Sequence, residues 1–180
     1  MMNRIWEKCA EFHGHECGGL TLGYKAALFM ADLLGLPRDE DGCVSADADI
    51  VCMAENNACS VDAIRVILGC TEEKGNLLFH LTGEQAYTCV DRRKREMIRI
   101  VLKDRPEGLT REQSFSYYQS REPWELFEKT PMNAVMPQWA GSGEEYVCSV
   151  CGEKGNASWF RFVNGKALCM DCFAEQNDAT

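Results

Sequence analysis

Phe12-His13-Gly14-His15-Glu16-Cys17-Gly18-Gly19-Leu20-Thr21-Leu22-Gly23-Tyr24 is the stretch from which the rest of the chain is read. It holds two of the chain's 3 histidines and a cysteine close together. Side chains of an extended segment repeat every second residue, so an extended conformation over 13–17 carries His13, His15 and Cys17 to one side, where they can share one ligand. Beyond them, Leu20, Tyr24, Leu28, Ala31 and Leu34 recur at three- and four-residue spacing. That pattern predicts a helix with one apolar stripe, ending near Gly35 and Pro37. Cys17 then stands just before a helix N-terminus, which lowers a thiol's pKa and favours anions. Imidazole and thiolate together suit zinc, iron or copper rather than magnesium or calcium.

Working outward, residues 43–54 are rich in Val, Ile, Ala and Cys and read as a buried strand. A helix follows from Ser60 to Leu68, with Ala63, Ile64 and Ile67 inward and Gly69 as its stop. Cys59 therefore precedes a second helix. If the two helix N-termini face one cleft, Cys17, Cys59 and His15, with His13, form a soft metal site with an open position, or a reactive thiol pair. The glycine-flanked loop 69–77 offers Lys74 and Asn76 to an anionic or carbonyl ligand. Segments 77–81, 86–90 and 97–103 read as three strands of an antiparallel meander, the last two joined by the basic loop Asp91-Arg92-Arg93-Lys94-Arg95-Glu96. Thr110 and Gln113 fit a capping box opening a helix to about Ser120, and Pro123 starts a short helix reaching Lys129. Helices around an antiparallel sheet make an α+β core over 1–130. Residues 131–145, with two prolines and Gly141-Ser142-Gly143, read as a linker.

In the remaining segment, 146–180, the pairs Cys148-x-x-Cys151 and Cys169-x-x-Cys172 bracket a hairpin signalled by Asn164-Gly165. Four thiolates so spaced read as a structural zinc site, closed in its coordination and supplying the folding energy that so short a segment lacks. The knuckle, the hairpin and a short helix at 170–176 give a treble-clef finger. Trp159 and Phe160, if exposed, suit a protein contact, including one with a second copy of the chain.

A chain of 180 residues, 46% of them hydrophobic, can bury one core and carry a small appendage. The formal net charge of −9 argues against a broad nucleic-acid surface. No apolar run suits a membrane span and no secretory signal is visible, so a cytoplasmic location is expected. Eleven cysteines without an export signal point to metal ligation, reactive thiols and small buried hydrophobes rather than a disulfide framework. Cys9, Cys43, Cys52, Cys70 and Cys89 are assigned mainly to packing, with Cys52 and Cys70 nearest in sequence to the candidate site.

Phe12-His13-Gly14-His15-Glu16-Cys17 with Gly19-Leu20 and Gly23-Tyr24, then Cys59-Ser60-Val61-Asp62-Ala63-Ile64, Gly69-Cys70-Thr71 and Lys74-Gly75-Asn76-Leu77, resembles the FmdE family of formylmethanofuran dehydrogenase proteins. The resemblance covers residues 5–105, and the trailing finger is similar to one that some members append. It implies an α+β core, homodimers and a cysteine–histidine site near the dimer interface. It also implies association with molybdenum or tungsten formylmethanofuran dehydrogenase operons in methane-forming metabolism (methanogenesis). Two positions depart from the family pattern: Gly18, where a proline often follows the cysteine, and Glu73, where a glycine often precedes the lysine. The second adds a negative charge beside Lys74 and works against anion binding there. No molybdopterin or ferredoxin-type iron–sulfur motif is visible.

Three functions follow from these readings. The first is a metal-binding accessory protein with a zinc finger, a second transition metal in its core and a partner in molybdenum or tungsten enzyme metabolism. The second is an enzyme acting on a one-carbon carrier or related carbonyl, with Cys17, Cys59 and His15 catalytic. The third is a protein-binding module.

Overall fold

The computed structural model describes residues 4–104, 106, 108–130, 145–156, 160–163 and 165–177. Two compact units divide the chain, Met1–Asn133 and Ala134–Thr180. The expected linker over 131–145 lies, up to residue 144, outside the described residues, as do Trp159 and Asn164.

The first unit opens with helix α1 (Arg4–His13), which buries Ile5, Trp6 and Cys9 along one side. This corrects the extended conformation expected over 13–17. His13 ends a helix, and the chain turns through Gly14–Glu16 before α2 (Gly18–Leu33). Cys17 is the N-cap of α2, extended at φ −155°, and its sulfur accepts the Leu20 N–H at 3.3 Å.

The strand expected over 43–54 shortens to β1 (Ile50–Ala54). Val44 makes only an isolated bridge to Arg38, and the segment between it and β1 turns, with the Ala48 N–H donating to Ser45 O. Helix α3 (Ser60–Leu68) ends on Gly69 in the left-handed region at φ 63°, as its sequence requires. Strand β2 (Leu77–Phe79) then pairs with β1 in parallel, departing from the meander. A helical crossover such as α3 is what a parallel pair needs.

Strands β3 (Ala86–Asp91) and β4 (Glu96–Leu102) form the expected hairpin. Its basic turn is more than a solvated loop: Lys94 Nζ donates to the carbonyls of Leu34 and Gly35, closing the C-terminal end of α2. Helix α4 (Arg111–Gln119) carries both halves of the Thr110/Gln113 capping box. The helix begun at Pro123 is shorter than expected: α5 (Pro123–Leu126) gives way to strand β5 (Phe127–Thr130), antiparallel to β4. Phe127, opposite Leu102 in that register, is fully buried, so pairing takes over from the helix.

The sheet order is β2-β1-β3-β4-β5. Ile50, Cys52 and Ala54 of β1, Tyr87 and Cys89 of β3, and Ile98 and Ile100 of β4 alternate onto one face. They share a single apolar core with Leu20, Ala27 and Met30 of α2 and Ile64 and Ile67 of α3. The expectation of a sheet packed with helices is met.

The second unit holds hairpin β6 (Glu145–Val147) with β7 (Lys154–Asn156), hairpin β8 (Phe160–Val163) with β9 (Lys166–Cys169), and helix α6 (Met170–Asn177). Among the described residues its buried core is Cys148, Phe160, Ala167, Leu168 and Cys172. Phe160 is thus a core residue and not the exposed contact its aromatic character suggested.

Candidate metal centres

Two helices bring the first site together. On α2, glycine recurs one turn apart at Gly19 and Gly23, and α3 arrives against that bare ridge. A Cβ at Gly23 would lie 1.9 Å from the Ser60 carbonyl oxygen, and one at Gly19 would lie 3.0 Å from Cys59 Cβ. A side chain at Gly23 would strike the α3 backbone and one at Gly19 would require Cys59 to give way, so the N-terminus of α3 is pressed onto the first turns of α2. Cys59 and Cys17, the residues preceding the two helices, become neighbours.

His13 reaches this corner from the end of α1. Its Nδ1 stands 2.7 Å from Asp62 Oδ2 on α3, and its Nε2 stands 3.6 Å from Cys17 Sγ. The carboxylate accepts a hydrogen bond from Nδ1–H, the tautomer that leaves the Nε2 lone pair facing the sulfur. Asp62 is itself held by Arg65 Nη1 at 2.6 Å, and Arg65 also pairs with Glu72. The His15 ring stacks on His13 with centroids 4.4 Å apart. One donor atom each from His13, His15 and Cys17 lies within 4.8 Å of the others.

This set fits a tetrahedral metal. Metal bonds of about 2.05 Å to nitrogen and about 2.3 Å to sulfur imply a nitrogen–sulfur edge of about 3.6 Å, the separation between His13 and Cys17. Three donors leave one position open. His13 is largely sealed, Cys17 half-buried and His15 exposed, so the open side faces solvent. Cys59 stands beside the cluster and outside the three-donor group. Burial, and then the charge and hydrogen bonding of Cys17, push its thiol above the ordinary value.

Lys74 and Asn76 serve their own loop. Lys74 Nζ donates to Gly69 O at 2.9 Å, while Asn76 Oδ1 accepts the Thr71 N–H at 2.9 Å and its Nδ2 donates to Ile50 O. The loop's tie to the cluster runs through Glu72, Arg65 and Asp62 instead. Sequence reasoning missed those three. The signal available was Asp62 in the first turn of a helix that begins beside a candidate ligand.

In the second unit the four sulfurs of Cys148, Cys151, Cys169 and Cys172 lie within 4.8 Å of one another. Cys151 and Cys169 are 3.7 Å apart, against about 3.8 Å for the sulfur–sulfur edge of a tetrahedron with bonds of about 2.3 Å. The knuckle is formed by Cys148 N–H to Glu153 O and Gly152 N–H to Cys148 O. Backbone N–H groups of Cys151 and Cys169 lower the Cys148 thiol to about 6, as suits a thiolate ligand.

Cys9, Cys43, Cys52, Cys70 and Cys89 are buried free thiols. Burial pushes Cys9 and Cys70 up to about 12. No helix among the described residues is long and apolar enough to cross a membrane.

A family model described as FmdE, molybdenum formylmethanofuran dehydrogenase operon, matches residues 12–138. A probable S-adenosyl-L-methionine-binding protein of Archaeoglobus fulgidus is 30% identical over 128 residues, which are 71% of this chain and 32% of that protein, so the chain spans about a third of its relative. The crystal structure of a tungsten formylmethanofuran dehydrogenase FmdE-like protein from Syntrophus aciditrophicus superposes with a TM-score of 0.56 at 20% identity, covering 94% of this chain and 90% of that one. This likeness concerns the fold.

Proposed function

Since the chain belongs to the FmdE family, as the match over residues 12–138 establishes, we propose that it is a metal-binding accessory protein with two unlike centres. The core centre takes a transition metal on His13 Nε2, His15 and Cys17 Sγ, with Asp62 orienting His13 and Cys59 alongside. The second centre takes a structural zinc on Cys148, Cys151, Cys169 and Cys172. The reading includes a cytoplasmic homodimer and a protein partner in molybdenum or tungsten enzyme metabolism.

One observation carries the core reading: three soft donors, from a helix end, a turn and an N-cap, converge within 4.8 Å while a carboxylate fixes the tautomer of one of them. A structural histidine bonded to a carboxylate needs no second histidine stacked on it and no thiol at its other nitrogen. In the tail, two of the buried residues among those described, Cys148 and Cys172, belong to the four-thiolate group, and a metal there would supply the folding energy that so short a segment lacks.

The open side of the core site favours a second reading, catalysis on a carbonyl of a one-carbon carrier. A bound transition metal supplies Lewis acidity. The chain's own residues then do the rest: Asp62 keeps the Nδ1 proton of His13 in place, and the half-buried Cys59 thiol stands beside Cys17.

Metal analysis of the full chain, purified and reconstituted anaerobically, tests the accessory reading. Two metal equivalents per chain are expected, falling to one in a His13→Ala/His15→Ala variant that keeps its finger. One equivalent in both proteins would overturn the core centre.

A further inference from the structure

Beside the metal donors lies a feature that ligation leaves unused. Cys59 is outside the three-donor group, yet a Cβ at Gly19 would sit 3.7 Å from its sulfur and 3.9 Å from that of Cys17. Two reduced sulfurs thus flank one glycine that has no side chain to separate them. Both thiols are half-buried and reachable by a small molecule, whereas Cys9, Cys43, Cys52, Cys70 and Cys89 are sealed in the core.

We propose that Cys17 and Cys59 are a redox-active dithiol, oxidised by low-molecular-weight disulfides to an intrachain disulfide that withdraws Cys17 from the core metal. The coupling to metal rests on the reading of the core centre given above, whereas the dithiol stands on the sulfur geometry alone.

The exchange balances. The Cys17 sulfur attacks one sulfur of the small disulfide, forming a mixed disulfide and expelling one thiolate, whose charge replaces that of Cys17 as the metal ion leaves or, in the metal-free chain, is neutralised by the proton Cys17 gives up. Cys59 then gives up its proton and attacks the Cys17 sulfur, expelling the second thiolate, which takes that proton. Two electrons pass to the small disulfide, which leaves as two thiols, and one sulfur–sulfur bond forms in the protein. A dithiol reductant reverses both steps.

The Cys17 sulfur bonds either to metal or to Cys59. Oxidation leaves His13 and His15 alone at the core, and two neutral imidazoles bind a transition metal far less well than the same pair with a thiolate. Gly19 and Gly23 make the switch possible, because only their bare ridge lets the two helix N-termini approach so closely.

The test equilibrates the full metal-loaded chain anaerobically in glutathione buffers of graded glutathione disulfide content. Free thiols are then trapped with an alkylating agent and the peptides mapped by mass spectrometry, while a chromophoric chelator reports released metal. The expected result is one linked peptide pair containing Cys17 and Cys59, formed in a single two-electron transition. One metal equivalent leaves in step with it and rebinds after dithiothreitol. Cys59→Ser, with serine well suited to precede a helix, should form no intrachain linkage and stop at a glutathione mixed disulfide on Cys17, reached only at higher glutathione disulfide content than the wild-type transition. Absence of the 17–59 linkage in wild-type protein at every buffer composition would overturn the proposal without using any variant. Linkage with the metal retained would overturn the coupling. A reduced chain that forms the linkage but never held a core metal would support the dithiol and sink the reading of the core centre beneath it.

Discussion

Asp62 carries the most consequence for a single side chain in this molecule. It receives His13 Nδ1 on one oxygen and Arg65 on the other, so it fixes both the position and the tautomer of the histidine. Partners that orient a metal-bound histidine typically set metal affinity within about 10- to 100-fold. Asp62→Asn removes the charge while keeping the shape. Core metal affinity, followed by chelator competition, is expected to fall by roughly that factor with the unfolding midpoint little changed; unchanged affinity would leave Asp62 as a helix residue only. The sequence displays the aspartate openly within Cys59-Ser60-Val61-Asp62, but its partner His13 is 49 residues away. Local spacing shows which residues can ligate. It does not show which distant carboxylate holds them.

At the scale of elements, the crossing of α2 and α3 sets the site. Gly23→Ala drives a methyl group into the Ser60 backbone, where no rotamer change can relieve it. The helices must part, and overpacking of this kind costs about 1–3 kcal/mol or more. Urea unfolding should register that loss, and a change under about 0.5 kcal/mol would mean that the crossing is looser than drawn. A second link joins the end of β1 to β4, where Arg99 Nε and Nη2 meet the Glu55 carboxylate at 2.6 and 2.9 Å. Hydrogen bonding to Arg99 holds the buried Glu55 carboxyl below its usual 4.5. A depressed acid stabilises the fold above its unfolded pKa and loses that contribution as pH falls through the folded one. Glu55→Gln should therefore be less stable than wild type at pH 7, with the gap closing as pH drops below about 4.5. A gap independent of pH in denaturant titrations would contradict the ion pair.

For the whole molecule, what is legible in the sequence follows from what is local. Helix α3 with its glycine stop, the β3–β4 hairpin, the capping box of α4 and the four-cysteine tail each announce themselves within a short window. Helix α1 carries a comparable local signal, Ile5, Trp6 and Cys9 at the spacing of one helical face with Gly14 after its end, which the extended reading of 13–17 obscures. The parallel partnership of β1 and β2 and the switch from α5 to β5 are hidden, since both are decided by neighbours distant in sequence. His13, His15 and Cys17 converge even though the extended geometry expected of them is absent. A helix end, a turn and an N-cap achieve by folding what alternation along a strand would have done.

A metal at that convergence is the central claim, and anomalous-scattering maps from crystals of the reduced, reconstituted chain, collected at several metal edges, test it most directly. A peak is expected about 2.0–2.3 Å from His13 Nε2, His15 and Cys17 Sγ, beside a second peak at the four-cysteine site that serves as internal control. A strong peak among Cys148, Cys151, Cys169 and Cys172 with nothing at the histidines would contradict it.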